Sequence, residues 1–251
     1  WKSHKRVCGT TAGKREPLLV EFVGAVLLGD VKALERLVRD DKVPVDAAID
    51  HITGDSTAAR AAERLGEEKN ETDPLAKEGL SVGHENSACG GAETALLLAA
   101  CTSPGLTMKV ALGTIFPDWG KEKKRLVKSG YDAAKVIRCL AALGADLERR
   151  TTLDDYKLTS FHAATRGNNL EALSALAALG ADVNSKTGFD GSSALHMAAI
   201  ICPLSTMRRL VALGCDVDQV DNYGRSPIRV AVEEGRVDIV ECLAEAGAHA
   251  P

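Results

Sequence analysis

The sequence predicts an all-α protein, a solenoid of about five helix–turn–helix repeats with two long insertions. Three observations lead there. Glycines that close apolar helical runs fall at Gly144, Gly180, Gly214 and Gly247, at intervals of 36, 34 and 33 residues. A second motif, a hydroxyl residue opening a run rich in small and apolar side chains, recurs in phase with those glycines. Only 4% of the 251 residues are aromatic, so the core has to be built from Ala, Leu and Val. Thin stacked layers of small side chains are the architecture that suits such a core, and a fixed period of this length is how stacked repeats announce themselves in a chain.

Composition narrows the class. Apolar residues make up 45% and charged residues 26%, the average of globular proteins, with length enough to bury a substantial core. With 31 basic against 35 acidic side chains the net charge is −4. That mild acidic excess argues against a nucleic-acid coat, which needs a basic surface to displace counterions. No apolar run reaches the roughly 18 to 20 residues of a membrane-spanning helix. The seven cysteines form no C-x-x-C pair. Their odd count and wide spacing point to neither a disulfide framework nor a zinc site. Buried free thiols fit a reducing, intracellular compartment, with the cytoplasm first and the nucleus or an organelle interior also open.

Taken in order, residues 1–16 are a basic tail (Lys2, Lys5, Arg6, Lys14, Arg15). Residues 17–46 hold two helical runs, Phe22–Ala25 and Val31–Val38, joined by Gly29-Asp30, and read as a degenerate first repeat. An acidic insertion follows over 47–91, where Glu63, Glu67, Glu68, Glu71, Asp73, Glu78 and Glu85 outnumber the nearby cations; composition suggests a flexible loop that includes Ala-rich helix formers at Thr57–Leu65. The second repeat, 92–148, opens with Glu93-Thr94-Ala95-Leu96-Leu97-Leu98-Ala99-Ala100 and closes with a helix over Ala133–Leu143. Residues 104–132 interrupt it as a second insertion. The third repeat, 149–184, begins its helix at Thr159-Ser160-Phe161-His162-Ala163-Ala164. In its second helix Leu170, Leu173, Leu176 and Ala177 fall on one face. The fourth, 185–218, repeats the pattern as Ser193-Ala194-Leu195-His196-Met197-Ala198-Ala199, and the fifth, 219–251, as Asp221-Asn222-Tyr223-Gly224-Arg225-Ser226-Pro227-Ile228. Hydroxyl residues favour the N-cap, and Pro suits the first helical position. Leu-Gly-Ala-Asp-Leu-Glu (143–148), Leu-Gly-Ala-Asp-Val-Asn (179–184) and Leu-Gly-Cys-Asp-Val-Asp (213–218) end the second to fourth repeats, and Ala246-Gly247-Ala248-His249 ends the fifth. Gly serves there because it alone enters the left-handed region without a Cβ penalty.

Those two motifs, in phase, resemble the ankyrin repeat, strongly over 133–251 and more weakly over 17–46 and 92–103. The resemblance implies an ankyrin-repeat solenoid with short hairpin-like fingers, in which His162 and His196 bond back across their turns to Thr159 and Ser193, a structural role. It implies too that the two residues after each Ala-Ala face a concave groove, where polar side chains are usual, as with Glu233-Glu234. Here Ile200-Ile201 stand in that place, a costly pair to leave in water. Two readings are open: an apolar contact point shared with finger residues Phe189, Tyr223 and Arg225, or isoleucines rotated into the core by Cys202-Pro203. In the second insertion Lys121–Lys128 is a dense basic run, with Lys123, Lys124 and Arg125 at its centre and Trp119 beside it. It is either a solvated helix face or a contact patch for an acidic partner or a nucleic-acid backbone.

No nucleophile elbow, zincin helix, phosphate loop or dinucleotide fingerprint occurs. No catalytic, cofactor-binding or metal-ligating residue is expected. The predicted function is a non-catalytic module that binds another protein through its concave face and fingers. Two alternatives are a constitutive subunit of a large multi-protein assembly docked through the insertions, and the regulatory portion of a longer enzyme.

Overall fold

Most of the described helices in this chain stop where left-handed backbone takes over. Gly144, Gly180, Gly214 and Gly247 carry φ of 95°, 89°, 83° and 88°. At each, the next residue's N–H turns back to the helix: Ala145 to Leu140 O (3.0 Å), Ala181 to Leu176 O (3.0 Å), Cys215 to Leu210 O (3.2 Å) and Ala248 to Leu243 O (3.0 Å). Carbonyls that a helix end would otherwise orphan are satisfied this way.

The computed structural model describes residues 12–46, 94–101, 132–151 and 156–249. Most of the basic tail, the acidic insertion and nearly all of the second insertion, including Trp119, Lys123, Lys124 and Arg125, lie outside the described residues. Within them are α1 (Ala12–Leu28), α2 (Val31–Arg39), α3 (Ala95–Cys101), α4 (Ala133–Ala142), α5 (Ser160–Arg166), α6 (Leu170–Ala178), α7 (Ala194–Ile201), α8 (Leu204–Ala212), α9 (Pro227–Glu233) and α10 (Val237–Glu245). No strand occurs among the described residues. α1 begins inside the stretch that composition assigns to the tail.

Consecutive helices pair, and the pairs stack. α1, α3, α5, α7 and α9 pack in series as an inner layer, and α2, α4, α6, α8 and α10 as an outer one. Ala163, Ala164, Ala198 and Ala199, at 4% exposure or less, let inner helices approach closely. Between the layers lie Ile137, Leu140, Leu173, Leu176, Leu210, Ile239 and Leu243, all fully buried. Leu170 and Ala177 pack on the edge of this core. Phe22 and Phe161 are the only buried Phe, Tyr or Trp side chains among the described residues.

A hydrogen-bond ladder fixes the register of neighbouring pairs. The carboxylate of Asp46 accepts from the Asp146 N–H (3.2 Å), Glu148 from Asp182 (2.8 Å), the Asn184 amide oxygen from Asp216 (2.8 Å), and Asp218 from His249 (2.8 Å). Glu148, Asn184 and Asp218 each sit two residues beyond an Asp (146, 182 and 216) whose own N–H donates to the previous pair. The ladder therefore crosses the acidic insertion without losing phase.

Two histidines lock the starts of α5 and α7. Nδ1 of His162 accepts from the Thr159 N–H (3.3 Å) and lies 2.9 Å from Thr159 Oγ1; the same distances for His196 and Ser193 are 3.2 and 2.8 Å. An Nδ1 that accepts a backbone N–H leaves the proton on Nε2, and Nε2 of His196 donates to Arg225 O at 2.8 Å. His162 Nε2 faces the backbone of Ser185 and Ser192 without closing a well-formed bond to either. Burial first, and then the charge of Arg150, push His162 down to about 4; burial also lowers His196.

Two outcomes test this packing. Leu176→Ala removes a fully buried side chain and should cost about 2–5 kcal/mol in urea unfolding; an unchanged midpoint would contradict the stacked core. The histidines set an acid limit. Because the folded pKa of His162 lies below the unfolded value of about 6.5, the unfolded chain binds the proton first. Stability is therefore complete above about pH 6.5 and falls as pH drops towards 4, by about 3 kcal/mol from this ring at ~1.4 kcal/mol per unit. Its NMR ring resonance should titrate near 4, and a midpoint near 6.5 would refute the buried clamp.

Candidate partner-binding surface

Backbone closes each finger, and a side chain at its base doubles the closure. Thr151 N–H donates to Leu158 O (2.9 Å), Thr187 to Ser192 O (2.9 Å) and Asp221 to Arg225 O (3.0 Å). Returning bonds run from the N–H of Leu158 to Thr151 Oγ1 (2.8 Å), of Ser192 to Thr187 Oγ1 (2.9 Å) and of Arg225 to Asp221 Oδ1 (2.9 Å). Fingers are also tied to each other. Gly188 N–H donates to Tyr156 O (2.6 Å) and Asn222 N–H to Asp190 O (2.9 Å), while Arg150 reaches Lys186 O (2.6 Å) and Lys186 reaches Val220 O (2.7 Å). At Gly191, where φ of 67° favours glycine, a Cβ would come within 2.4 Å of Asn222 Oδ1, so a larger residue would strain the backbone and displace the Asn222 side chain.

This scaffold carries rings at its tips. Tyr156, Phe189 and Tyr223 are exposed, and the rings of Tyr156 and Phe189 meet at 5.7 Å with a 59° tilt. Arg225 lies 5.1 Å from the centroid of Tyr223, a cation–π distance. Its guanidinium is committed within its own repeat, to Asp221 at 2.8 Å and Glu233 at 3.4 Å. Burial pushes the Asp221 carboxyl up, but the bonds from Arg225 and the Tyr223 N–H outweigh it and hold it below the usual range.

At the far end of α7, Ile200 is 46% and Ile201 53% exposed. The isoleucines are not rotated into the core; Cys202 is. It ends α7 in extended backbone, is buried, and points its thiol at Thr165 O (3.2 Å), with Pro203 opening α8. From the next pair, Arg236 binds Cys202 O (2.8 Å) and reaches Ile200 O (3.5 Å). A cation at the end of α7 suits the helix dipole, and it fixes the turn that carries the isoleucines. Met197, half-buried, and the exposed Ile200 and Ile201 thus stand on the same helix.

Sequence reasoning did not single out Tyr156, whose partner ring is visible only once fingers are adjacent, nor Val232 and Val237, exposed at 59% and 66%. Val232 stands at the place that the buried Ala199 holds in the preceding repeat, and Val237 at that of the half-buried Leu204. Among the described residues no group of His, Cys, Asp and Glu converges as a metal site, and no helix is long and apolar enough to cross a membrane.

Residues 161–250 match the family model for ankyrin repeats, as three copies. That span holds α5 to α10 almost entire; α1 to α4 lie outside it but continue the same stacking. No curated protein matches the chain. Ankyrin repeats generally mediate protein–protein interaction.

The buried thiols provide a test of the geometry. Burial pushes Cys202 and Cys215 up to about 12, so both should resist iodoacetamide at pH 8 in the folded protein and react once urea is added. Rapid alkylation of Cys202 without denaturant would mean that the junction beneath the isoleucines is open.

Proposed function

Because residues 161–250 are ankyrin repeats, we propose that the chain is a non-catalytic module that captures another protein on its concave face. The observation that supports this best is the pair Ile200 and Ile201. Two neighbouring branched side chains stand half in water on a rigid helix, where no element of the fold uses them, and such a pair anchors a partner by withdrawing from solvent. Phe189 and Tyr223 add rings that bury area with little loss of side-chain freedom. Arg225 holds the second of these fingers in place. Trp119, Lys123, Lys124 and Arg125 remain proposed contacts from the second insertion, for a partner with an acidic surface.

Rigid stacking favours this use. Side chains held at fixed spacing by the ladder and the finger bonds lose little freedom when a partner arrives, so more of the contact energy appears as affinity. The free, buried thiols of Cys139, Cys202, Cys215 and Cys242 support work in a reducing compartment.

The test is a double substitution, Ile200→Ser with Ile201→Ser, applied to a protein that the domain retains in a pull-down. Truncating an anchor costs about 2 kcal/mol or more, so affinity should fall roughly thirtyfold while the thermal midpoint stays close to wild type. A large fall in stability with affinity intact per folded molecule would remove the isoleucines from the binding surface.

A further inference from the structure

The two ends of the stack differ. One position of the inner helix is held in successive pairs by Val26, Ala100, Thr165, Ala199 and Val232. The first four are fully buried, and Val232 is 59% exposed. A position of the outer helix repeats the contrast: Ile137, Leu173 and Met207 are fully buried, and Val240 only half-buried. Val237 is exposed where Leu170 and Leu204 are half-buried, and Ala244 where Ala177 and Val211 are. The following pair covers the earlier positions, as α9 and α10 cover α7 and α8; among the described residues no pair follows α10. The opposite end is closed with charge. Glu21 and Arg36 hold the places of the buried Ser160 and Ala175 and pair with each other, with Asp41 beside them. A polar outer face of this kind is how a stacked-repeat protein ends in water.

The open flank also has a sign. Val237, Glu241 and Glu245 follow one another at four-residue spacing, one row along α10 beside the row of Val240 and Ala244. From Pro227 to Glu245 five carboxylates stand against two guanidiniums. Both guanidiniums are paired inside the repeat, Arg229 with Glu233 at 3.1 Å and Arg236 with Asp238 at 3.5 Å. Glu241 and Glu245 have no ionic partner among the described residues. Two carboxylates one turn apart repel each other, so folding does not explain this row.

We infer that this flank is a second docking face, independent of the groove, and that its occupant is a helix pair of another protein, edged with Lys or Arg. Continuity with the internal interfaces gives the shape: the positions left open on α9 and α10 are those that a helix pair covers at every earlier step of the stack. Charge gives the edge, because a Lys or Arg row along the partner's outer helix would meet Glu241 and Glu245. A second copy of this chain fits neither way. Through the same flank it brings only the same surplus of carboxylates, and its other end is closed by Glu21 and Arg36.

A synthetic helical hairpin with Leu and Ala along one side, edged with Lys, tests this by titration onto the intact chain; its twin is edged with Glu. The Lys hairpin should bind about tenfold more tightly than its twin and more weakly as salt is raised. Val232→Ser with Val237→Ser should weaken it about tenfold or more and leave the thermal midpoint unchanged, since both side chains are exposed. Glu241→Gln with Glu245→Gln should weaken it about fivefold and narrow the gap between the hairpins. Ile200→Ser with Ile201→Ser should leave its affinity unchanged, which separates this face from the groove. Equal affinity for the two hairpins, binding that the Val232 and Val237 substitutions do not touch, or no binding at all would overturn the inference. So would a dimer of the free chain that those substitutions dissociate, since the occupant would then be a second copy. A Val232→Cys variant that resists maleimide at that position in the free protein would overturn it too, because the chain's own residues would then cover the flank.

Discussion

A single helix pair in this chain has two apolar flanks and can cover neither by itself. Everything else in the structure follows from the need to cover them with neighbours. Alanines at 163, 164, 198 and 199 exist so that inner helices come close enough, and the ladder from Asp46 to His249 ensures that they come together in one register. Hydrogen bonds are worth about 1 kcal/mol each, so the ladder contributes direction more than stability. The apolar contact supplies most of the stability, as in other stacked-repeat proteins.

Much of this was legible in the sequence. Gly144, Gly180, Gly214 and Gly247 gave the period, because only Gly ends a helix that way cheaply. Thr159-x-x-His162 and Ser193-x-x-His196 gave the starts of α5 and α7. The first two pairs were readable only as degenerate copies, since Leu97 stands where the third and fourth repeats have His and the insertions break the spacing. Long-range partners were invisible. Nothing local marks Asp46 as the acceptor for Asp146, a hundred residues away, or Arg236 as the residue that caps α7.

The candidate surface was readable in a different way, by departure from pattern. Ile200-Ile201 stood out because branched apolar residues occupy a place that Glu233-Glu234 fill in the next repeat. Whether they faced water depended on Cys202-Pro203, and sequence left that open; backbone dihedrals and a buried thiol decided it. Tyr156 escaped notice because its significance lies in meeting Phe189 across two fingers, a contact between repeats. Features that belong to one repeat can be read from the chain, while those shared by two need the stack.

The ladder also orders the assembly in time. Bonds between the later repeats join residues 31 to 34 positions apart, whereas the Asp46–Asp146 bond spans 100. Closing the longer separation costs about 1 kcal/mol more in chain entropy. By this measure the second to fifth pairs join one another at the lower cost, and the first pair is the one that must close the long separation. In a chain emerging from synthesis this order is reversed: the amino-terminal helices are made first and wait, with Phe22 and the leucines of α2 uncovered, until the residues that shelter them have been made.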